Sequence, residues 1–257
     1  MPFKTHIRTT GFAITLALAC FGSAQANELV IAADPWCPFN CEPGSDKPGY
    51  MVEIAREVFE PLGYTVTYEQ VNWARALVET REGKYAAVFG ASIGDADDFV
   101  FPKEAQGKAG NAIFVAAGSD WSFSKPEDLS GKTIGLIRDY DYGDLGTQIE
   151  THGEASFAGG DDALETNIKK LLAGRLDALV EEASVFNYSA DQMGVSDQVR
   201  LEGESEYDPV YIAFSPARPE SGKLAEELDA GMKALRSSGK LGEILSKYGL
   251  KDWSSGS

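Results

Sequence analysis

Residues 28–39, ELVIAADPWCPF, join a buried strand to a loop that has an unusual composition. The apolar run ELVIAAD at 28–34 predicts the strand. The chain then enters ADPWCPFNCEP, residues 33–43, which holds two cysteines, a tryptophan and three prolines. Ligands of open α/β sheets bind in loops at the carboxyl ends of strands. If the fold is of that class, this loop lies at a binding edge.

The rest of the chain shows strands and helices in alternation, as an α/β fold requires. Period-2 and continuous apolar runs predict strands at 28–34, 64–71, 85–92, 112–118, 132–137, 176–182 and 210–216. Apolar residues at helical spacing predict helices at 49–63, 73–84, 143–151, 162–175 and 224–248. The acidic stretch 93–111, which contains glycine and proline, is expected to be a crossover loop. The order is βαβαβ, repeated.

Residues 1–26 have the form of a secretory signal peptide. A basic start is followed by an apolar run at 11–21, which is too short to span a membrane. The run leads to the small-x-small sequence at 24–26, so we expect cleavage after Ala26 and a periplasmic protein. Lipoprotein processing at Cys20 is the alternative, although the residue three before it is not the usual leucine.

Two of the three cysteines, Cys37 and Cys41, follow the predicted cleavage point. In an oxidising compartment a disulfide between them is the expected state. A zinc site needs about four ligands, and these cysteines with His152 are one short. A redox motif usually has two residues between its cysteines rather than three. We therefore predict a disulfide, with no metal and no cofactor.

The chain is strongly acidic, which restricts its partners. It has 23 basic and 40 acidic residues and a net charge of −17, or −19 without the two basic residues of the predicted signal peptide. Such a field repels nucleic acid and anionic lipid, so neither is expected as a partner. It favours small cationic or zwitterionic molecules, and it also keeps a secreted protein soluble.

The order of motifs resembles that of the family-3 extracellular solute-binding proteins, the periplasmic receptors of polar amino-acid ABC transporters. The resemblance covers nearly the whole chain after residue 26. It rests on ADPWCPF at 33–39, GYMVEIAREVFEPLG at 49–63, GKYAAVFGAS at 83–92, DLSGKTIGLI at 128–137, LLAGRLDALVEE at 171–182 and the closing segment at 228–253. No single motif is diagnostic, but their order and spacing are.

The resemblance implies a type II periplasmic-binding-protein fold with two lobes, each a mixed sheet flanked by helices, joined by two crossover strands. By that analogy the first lobe comprises residues 27–110 and 210–257, and the second comprises 111–209. The implied function is capture of a small polar solute, an amino acid or related compound, by hinge closure. A monomer would deliver it to an ABC permease in the inner membrane.

The family's ligand contacts suggest several site residues. Trp36 stands where an aromatic side chain follows the first strand, and Phe39 lies in the same loop. Ser92 fits the hydroxyl loop of the family. Glu181 fits the acidic residue that usually binds an α-amino group, with Glu182 as the second choice.

One departure affects the ligand assignment. Amino-acid binders of the family usually continue the hydroxyl loop with Thr-x-x-Arg, whose arginine binds the α-carboxylate, whereas this chain has SIGDADDF. Either another group binds the carboxylate or the ligand lacks one and is a cationic amine. Arg75 is the first candidate substitute. Arg138 is the second, and it shares a segment with the further candidates Tyr140 and Asp141 before a predicted helix.

Catalysis is not predicted. GASIG at 90–94 formally matches G-x-S-x-G with Ser92 as nucleophile, but that motif needs a helix directly after the turn. The sequence that follows is a poor helix, and His152 is the only histidine after the predicted signal peptide that a triad could use. Two alternatives come from the resemblance: a dehydratase-like enzyme on the same fold, and a sensory module for a membrane partner.

Overall fold

The computed structural model describes residues 1–2 and 27–255. The predicted signal peptide and Cys20 fall in residues 3–26, outside the described part. Across the described residues, no helix combines the length and the apolar composition that crossing a membrane requires.

The first of two five-stranded sheets holds the amino-terminal strands and one strand from the carboxyl-terminal part. Its order is β2-β1-β3-β10-β4. β1 is parallel to β2 and β3, whereas β10 is antiparallel to β3 and β4. The strands are β1 (Asn27–Ala33), β2 (Tyr64–Gln70), β3 (Ala87–Ala91), β4 (Gly107–Ala109) and β10 (Asp208–Phe214).

The second sheet has the order β7-β6-β8-β5-β9. Its four pairings mix directions, because β6 is parallel to β7 and β8 while β5 is antiparallel to β8 and β9. The strands are β5 (Asn111–Ala116), β6 (Thr133–Ile137), β7 (Glu154–Ala158), β8 (Ala178–Glu182) and β9 (Val199–Glu204). The chain passes between the sheets twice, from β4 to β5 and from β9 to β10.

Helices cover both sheets. They are α1 (Tyr50–Phe59), α2 (Trp73–Arg81), α3 (Gly143–His152), α4 (Ala163–Leu172), α5 (Ala183–Gln192), α6 (Ser221–Ser238) and α7 (Lys240–Ser246). Short 3₁₀ turns lie at Glu60–Leu62, Pro126–Leu129, Ser196–Gln198 and Trp253–Ser255. The largest core lies in the first sheet and its helices, where α1 packs against α6 and buries Ile54 and Val58. Gly63 ends the α1 segment in the left-handed conformation, at φ 88°.

The predicted fold class is confirmed: both sheets are mixed and flanked by helices. The prediction of a loop over residues 93–111 was wrong in part, because the end of this stretch forms β4. The three residues of β4, GKA, carry no strand pattern. The sequence analysis missed β7, α5 and β9. β7 and β9 are the edge strands of their sheet and are mostly not buried, so they lack the apolar runs on which the strand predictions relied.

Candidate ligand-binding site

A cavity of about 200 Å³ lies between the two sheets. Residues after the carboxyl end of β1 and at the end of β3 line it from the first sheet. The end of β8 and residues 140–143, which follow β6 and begin α3, line it from the second. The carboxyl ends of parallel strands therefore meet at this cavity, as expected for ligand sites in α/β folds.

The cavity wall combines aromatic rings with carboxylates. The aromatic side chains are Trp36, Trp73, Phe89, Tyr140 and Tyr142. The acidic residues are Asp34, Asp95, Glu181 and Glu182, with the more exposed Asp141, Glu206 and Asp208. Among the described residues that line the cavity, none is lysine, arginine or histidine. No group of three or more metal-binding side chains occurs in the described part of the chain that could hold a metal ion.

Two hydrogen bonds cross the cavity, and each joins an aromatic donor to a carboxylate of the other sheet. Trp36 Nε1 donates to Glu181 Oε1 at 3.1 Å. Tyr140 Oη donates to Asp34 Oδ2 at 2.7 Å. The arrangement is reciprocal, because each sheet contributes one donor and one acceptor.

Burial alters the ionisation of both bridging carboxylates. Desolvation raises the pKa of Glu181 to about 8, although hydrogen bonds from the Glu182 amide and Trp36 oppose the change. Desolvation also raises the pKa of Asp34 to about 7, against the hydrogen bond from Tyr140. Burial affects the Glu181 carboxyl more strongly than the Asp34 carboxyl, since Glu181 is 3% exposed whereas Asp34 is half-buried.

Two other carboxylates accept hydrogen bonds from donors near the cavity. Asp95 Oδ2 accepts from both the backbone amide and the hydroxyl of Ser92, each at 2.7 Å. Asp141 Oδ1 accepts from the amide of Gly143, the first residue of α3, at 2.8 Å. Donors of the hydroxyl loop and of a helix start, which are typical anion-binding groups, are therefore already bonded within the protein.

The sequence profile of the bacterial extracellular solute-binding proteins, family 3, matches residues 29–251. The chain belongs to this family. No curated protein sequence matches it.

Solved structures with the same fold include three kinds of protein. One comes from work on glutathione import through GshT and the cystine ABC importer TcyBC of Streptococcus mutans (TM-score 0.74, 18% identity, 88% of this chain and 96% of that one). Another is a histidine kinase sensor domain with similarity to periplasmic binding proteins (0.71, 20%, 87% and 96%). A third is the ancestral amino acid-binding protein AncCDT-1, a precursor of cyclohexadienyl dehydratase (0.69, 17%, 86% and 95%). At these identities the likeness shows the fold alone.

In this family-3 protein the cysteine loop is closed by the predicted disulfide. Cys37 and Cys41 are bonded, with their Cα atoms 4.5 Å apart. Within the loop the rings of Trp36 and Phe39 stack with centroids 4.0 Å apart. The Trp36 amide also donates to the Asn40 carbonyl at 2.9 Å. The loop therefore presents Trp36 to the cavity on a cross-linked, hydrogen-bonded frame.

The structure places five of the predicted site residues at the cavity: Trp36, Ser92, Tyr140, Asp141 and Glu181. They come from four separate segments, so their meeting is a property of the fold rather than of local sequence.

Three predicted site residues do not line this cavity. Phe39 is 2% exposed and packs in the core beneath Trp36. The Arg75 side chain is 58% exposed and pairs with Glu79 one helical turn later, at 2.9 Å. Arg138 is exposed and lines a neighbouring cavity that shares Asp34. Neither arginine is placed where it would bind a carboxylate in the main cavity.

Sequence reasoning missed several residues that the fold brings to the site, notably Asp34, Asn40, Trp73, Asp95 and Tyr142. Asp34 carried a usable signal, since it is the first polar residue after β1. Asp95 carried another, because it is one of the aspartates of SIGDADDF, the stretch that departs from the Thr-x-x-Arg of the family pattern. The remaining three had no local signal.

Proposed function

We propose that this protein is a periplasmic receptor that captures a small polar solute and delivers it to an ABC permease of the inner membrane. The observation that supports it most is the cavity between the sheets, spanned by the two reciprocal hydrogen bonds. Family membership supports solute binding and an extracellular location. Delivery to a permease and the identity of the solute are part of the proposal.

The proposed mechanism is hinge closure of two lobes. We assign residues 27–110 and 210–257 to the first lobe and 111–209 to the second, with the hinge at the two passages between the sheets. Contacts from both lobes to the solute would stabilise the closed state, as ligand-linked population shifts require. Secretion by the signal peptide with cleavage after Ala26, and action as a monomer, complete the proposal.

The structure gives little support to the hypothesis that Ser92 is a catalytic nucleophile. The Ser92 hydroxyl donates to Asp95 at 2.7 Å rather than to a histidine. Residues 92–99 form turns, not the helix that the G-x-S-x-G motif needs. His152, at the end of α3, does not line the cavity. We therefore propose binding without chemical conversion of the solute.

A thermal-shift screen of the purified protein tests the function. The panel contains amino acids, amines, carboxylates and small sugars. A solute at about 100 times its dissociation constant should add about 2.7 kcal/mol to the unfolding free energy. Mass spectrometry should recover the responding solute unchanged. Arg75→Ala is a control that should keep wild-type affinity. Chemical conversion of the solute would contradict the receptor function and favour a dehydratase-like enzyme. If no solute of the panel stabilised the protein, solute binding would be contradicted.

A further inference from the structure

We propose that the solute bound in the cavity is a small organic cation that carries N–H groups on its charged centre and has no carboxylate. This inference rests on the proposed receptor function and names the class of its ligand. It departs from the amino acids that the family resemblance suggests.

The charge of the cavity wall is the first argument. Seven acidic residues and no basic residue of the described chain line the cavity. The two arginines that could have balanced them lie elsewhere, since Arg75 pairs with Glu79 and Arg138 borders the neighbouring cavity. An anion or a zwitterion would bring a negative charge to a wall that already repels it.

The second argument is that the typical anion donors are already in use. The amide and hydroxyl of Ser92 both donate to Asp95, and the amide of Gly143 at the start of α3 donates to Asp141. The two side-chain donors that cross the cavity, Trp36 and Tyr140, donate to carboxylates as well. A ligand carboxylate that used any of these donors would have to displace an internal carboxylate.

The third argument is the presence of buried acceptors without partners. Glu181 Oε2 has no hydrogen-bond partner, although the residue is 3% exposed and lines the cavity. Asn40 Oδ1 is also unpartnered, and that residue is 1% exposed and lines the same cavity. Buried acceptors are costly unless a donor meets them, and an N–H cation supplies both the donor and the charge.

The aromatic rings fit the same ligand. Trp36, Trp73 and Tyr140 line the cavity beside the carboxylates, and aromatic faces attract cations. The volume of about 200 Å³ lies below the usual range of drug-sized sites, which indicates a small molecule. The raised pKa of Glu181, about 8, agrees with a carboxylate that is buried without a counter-charge.

Calorimetric titration with matched pairs tests the class directly. Each pair is an amine and the amino acid that differs from it only by the α-carboxylate: cadaverine and lysine, agmatine and arginine, phenethylamine and phenylalanine. We expect at least one amine to bind at least about 10-fold more tightly than its partner. Equal or tighter binding of the amino acid in every responding pair, or no response to any amine, would overturn the inference. Tetramethylammonium, a cation without N–H, should bind weakly, and binding as tight as that of the best amine would overturn the N–H requirement.

Glu181→Gln keeps the size of the side chain and removes its charge. We expect it to weaken binding of the responding amine by about 10- to 100-fold, the usual effect of one charge-assisted hydrogen bond. The matched control is Glu226→Gln, an exposed position on α6, which should leave affinity unchanged. Asp34→Asn is the second variant, with the same expected direction, and it decides the outcome if Glu181→Gln does not fold. Unchanged affinity in both site variants would refute the assignment.

The failure of this inference is distinguishable from failure of the receptor function. If sugars or carboxylates stabilise the protein while amines do not, the ligand class is wrong and the receptor function stands. If no solute of any class stabilises it, both fail.

Discussion

Replacing Glu181 with glutamine should alter stability in a way that depends on pH. In wild-type protein without ligand, the folded carboxyl has a pKa of about 8 against an ordinary value of 4.5. The folded state therefore binds this proton more tightly than the unfolded state does. The resulting stability is fully present below pH 4.5 and is lost as the pH rises towards 8. Glutamine has no such proton, so the variant should not share this loss.

The size of the effect follows from the two pKa values. A change from 4.5 to about 8 is worth about 5 kcal/mol once the carboxyl is ionised in both states. At pH 5 only about 1 kcal/mol of this is lost, and at pH 9 nearly all of it. The stability of Glu181→Gln relative to wild type should therefore rise by about 4 kcal/mol between these pH values. Fixed effects of the amide cancel in that difference.

Neighbouring charges act in the same direction. Glu182 and Asp34 both raise the pKa of Glu181 by repulsion, and the charge of Glu181 disfavours ionisation of Tyr140 and Tyr142. The repulsions from Glu182 and Asp34 are already contained in the Glu181 pKa of about 8, and both tyrosines stay neutral at pH 9, so the expected rise remains about 4 kcal/mol. The ion pairs of the surface are the same in both proteins and do not contribute.

Urea unfolding at pH 5, 7 and 9 measures the difference. Each protein is unfolded, dialysed and refolded first, so that bound solute is removed. The control is Glu226→Gln, whose stability relative to wild type should stay within about 0.5 kcal/mol at each pH, because the position is exposed. A Glu181→Gln difference that is constant within about 1 kcal/mol from pH 5 to 9 would refute the assignment of a buried, uncompensated carboxyl at this position.

Three other changes have expected outcomes. Tyr140→Phe removes a hydrogen bond to a carboxylate across the cavity, and urea unfolding should show a loss of about 1–3 kcal/mol. Gly231→Ala places a methyl group in steric conflict with the Val58 side chain of α1 and should cost about 1–3 kcal/mol in the same assay. The matched change Gly242→Ala meets open space and should not destabilise the protein. Replacing Cys37 and Cys41 with serine should weaken ligand binding about 3- to 10-fold in calorimetry, because the loop must then be ordered on binding; unchanged affinity would contradict that role.

Much of the fold was predictable because its central strands and long helices carry strong periodic patterns. The apolar residues of α1 and α6 recur at helical spacing and meet in one core. The edge strands carried no such pattern. β9, VRLEGE, is stabilised by pairing with β5, and the paired residues of β5 lie 83 to 92 positions earlier in the chain.

The site could be predicted only for residues that follow or end a predicted strand. Trp36 and Glu181 follow or end predicted strands, so their positions could be inferred separately. Their hydrogen bond joins residues 145 positions apart, and nothing local in the sequence indicates it. The expectation of a carboxylate-binding arginine at Arg75 came from chemical need, but that side chain points to an acidic neighbour within its own helix. Surface pairing of this kind leaves no trace in a pattern of apolar residues.

The two crossing hydrogen bonds give a physical reason for coupling the ligand's charge to closure. Tryptophan and tyrosine donors stabilise a carboxylate but do not neutralise it, so closing the empty cleft buries carboxyl groups of both sheets without a counter-charge. If opening returns Glu181 to water, closing at pH 7 costs about 3 kcal/mol, because the carboxyl must take up a proton. A bound cation replaces that proton and can recover the cost, which is a shift of about 100-fold towards the closed state. A zwitterion gains less, since its carboxylate finds the donors of Ser92 and Gly143 occupied. Selectivity for a cation would then arise in the closing step, and protons would compete with the ligand as the pH falls.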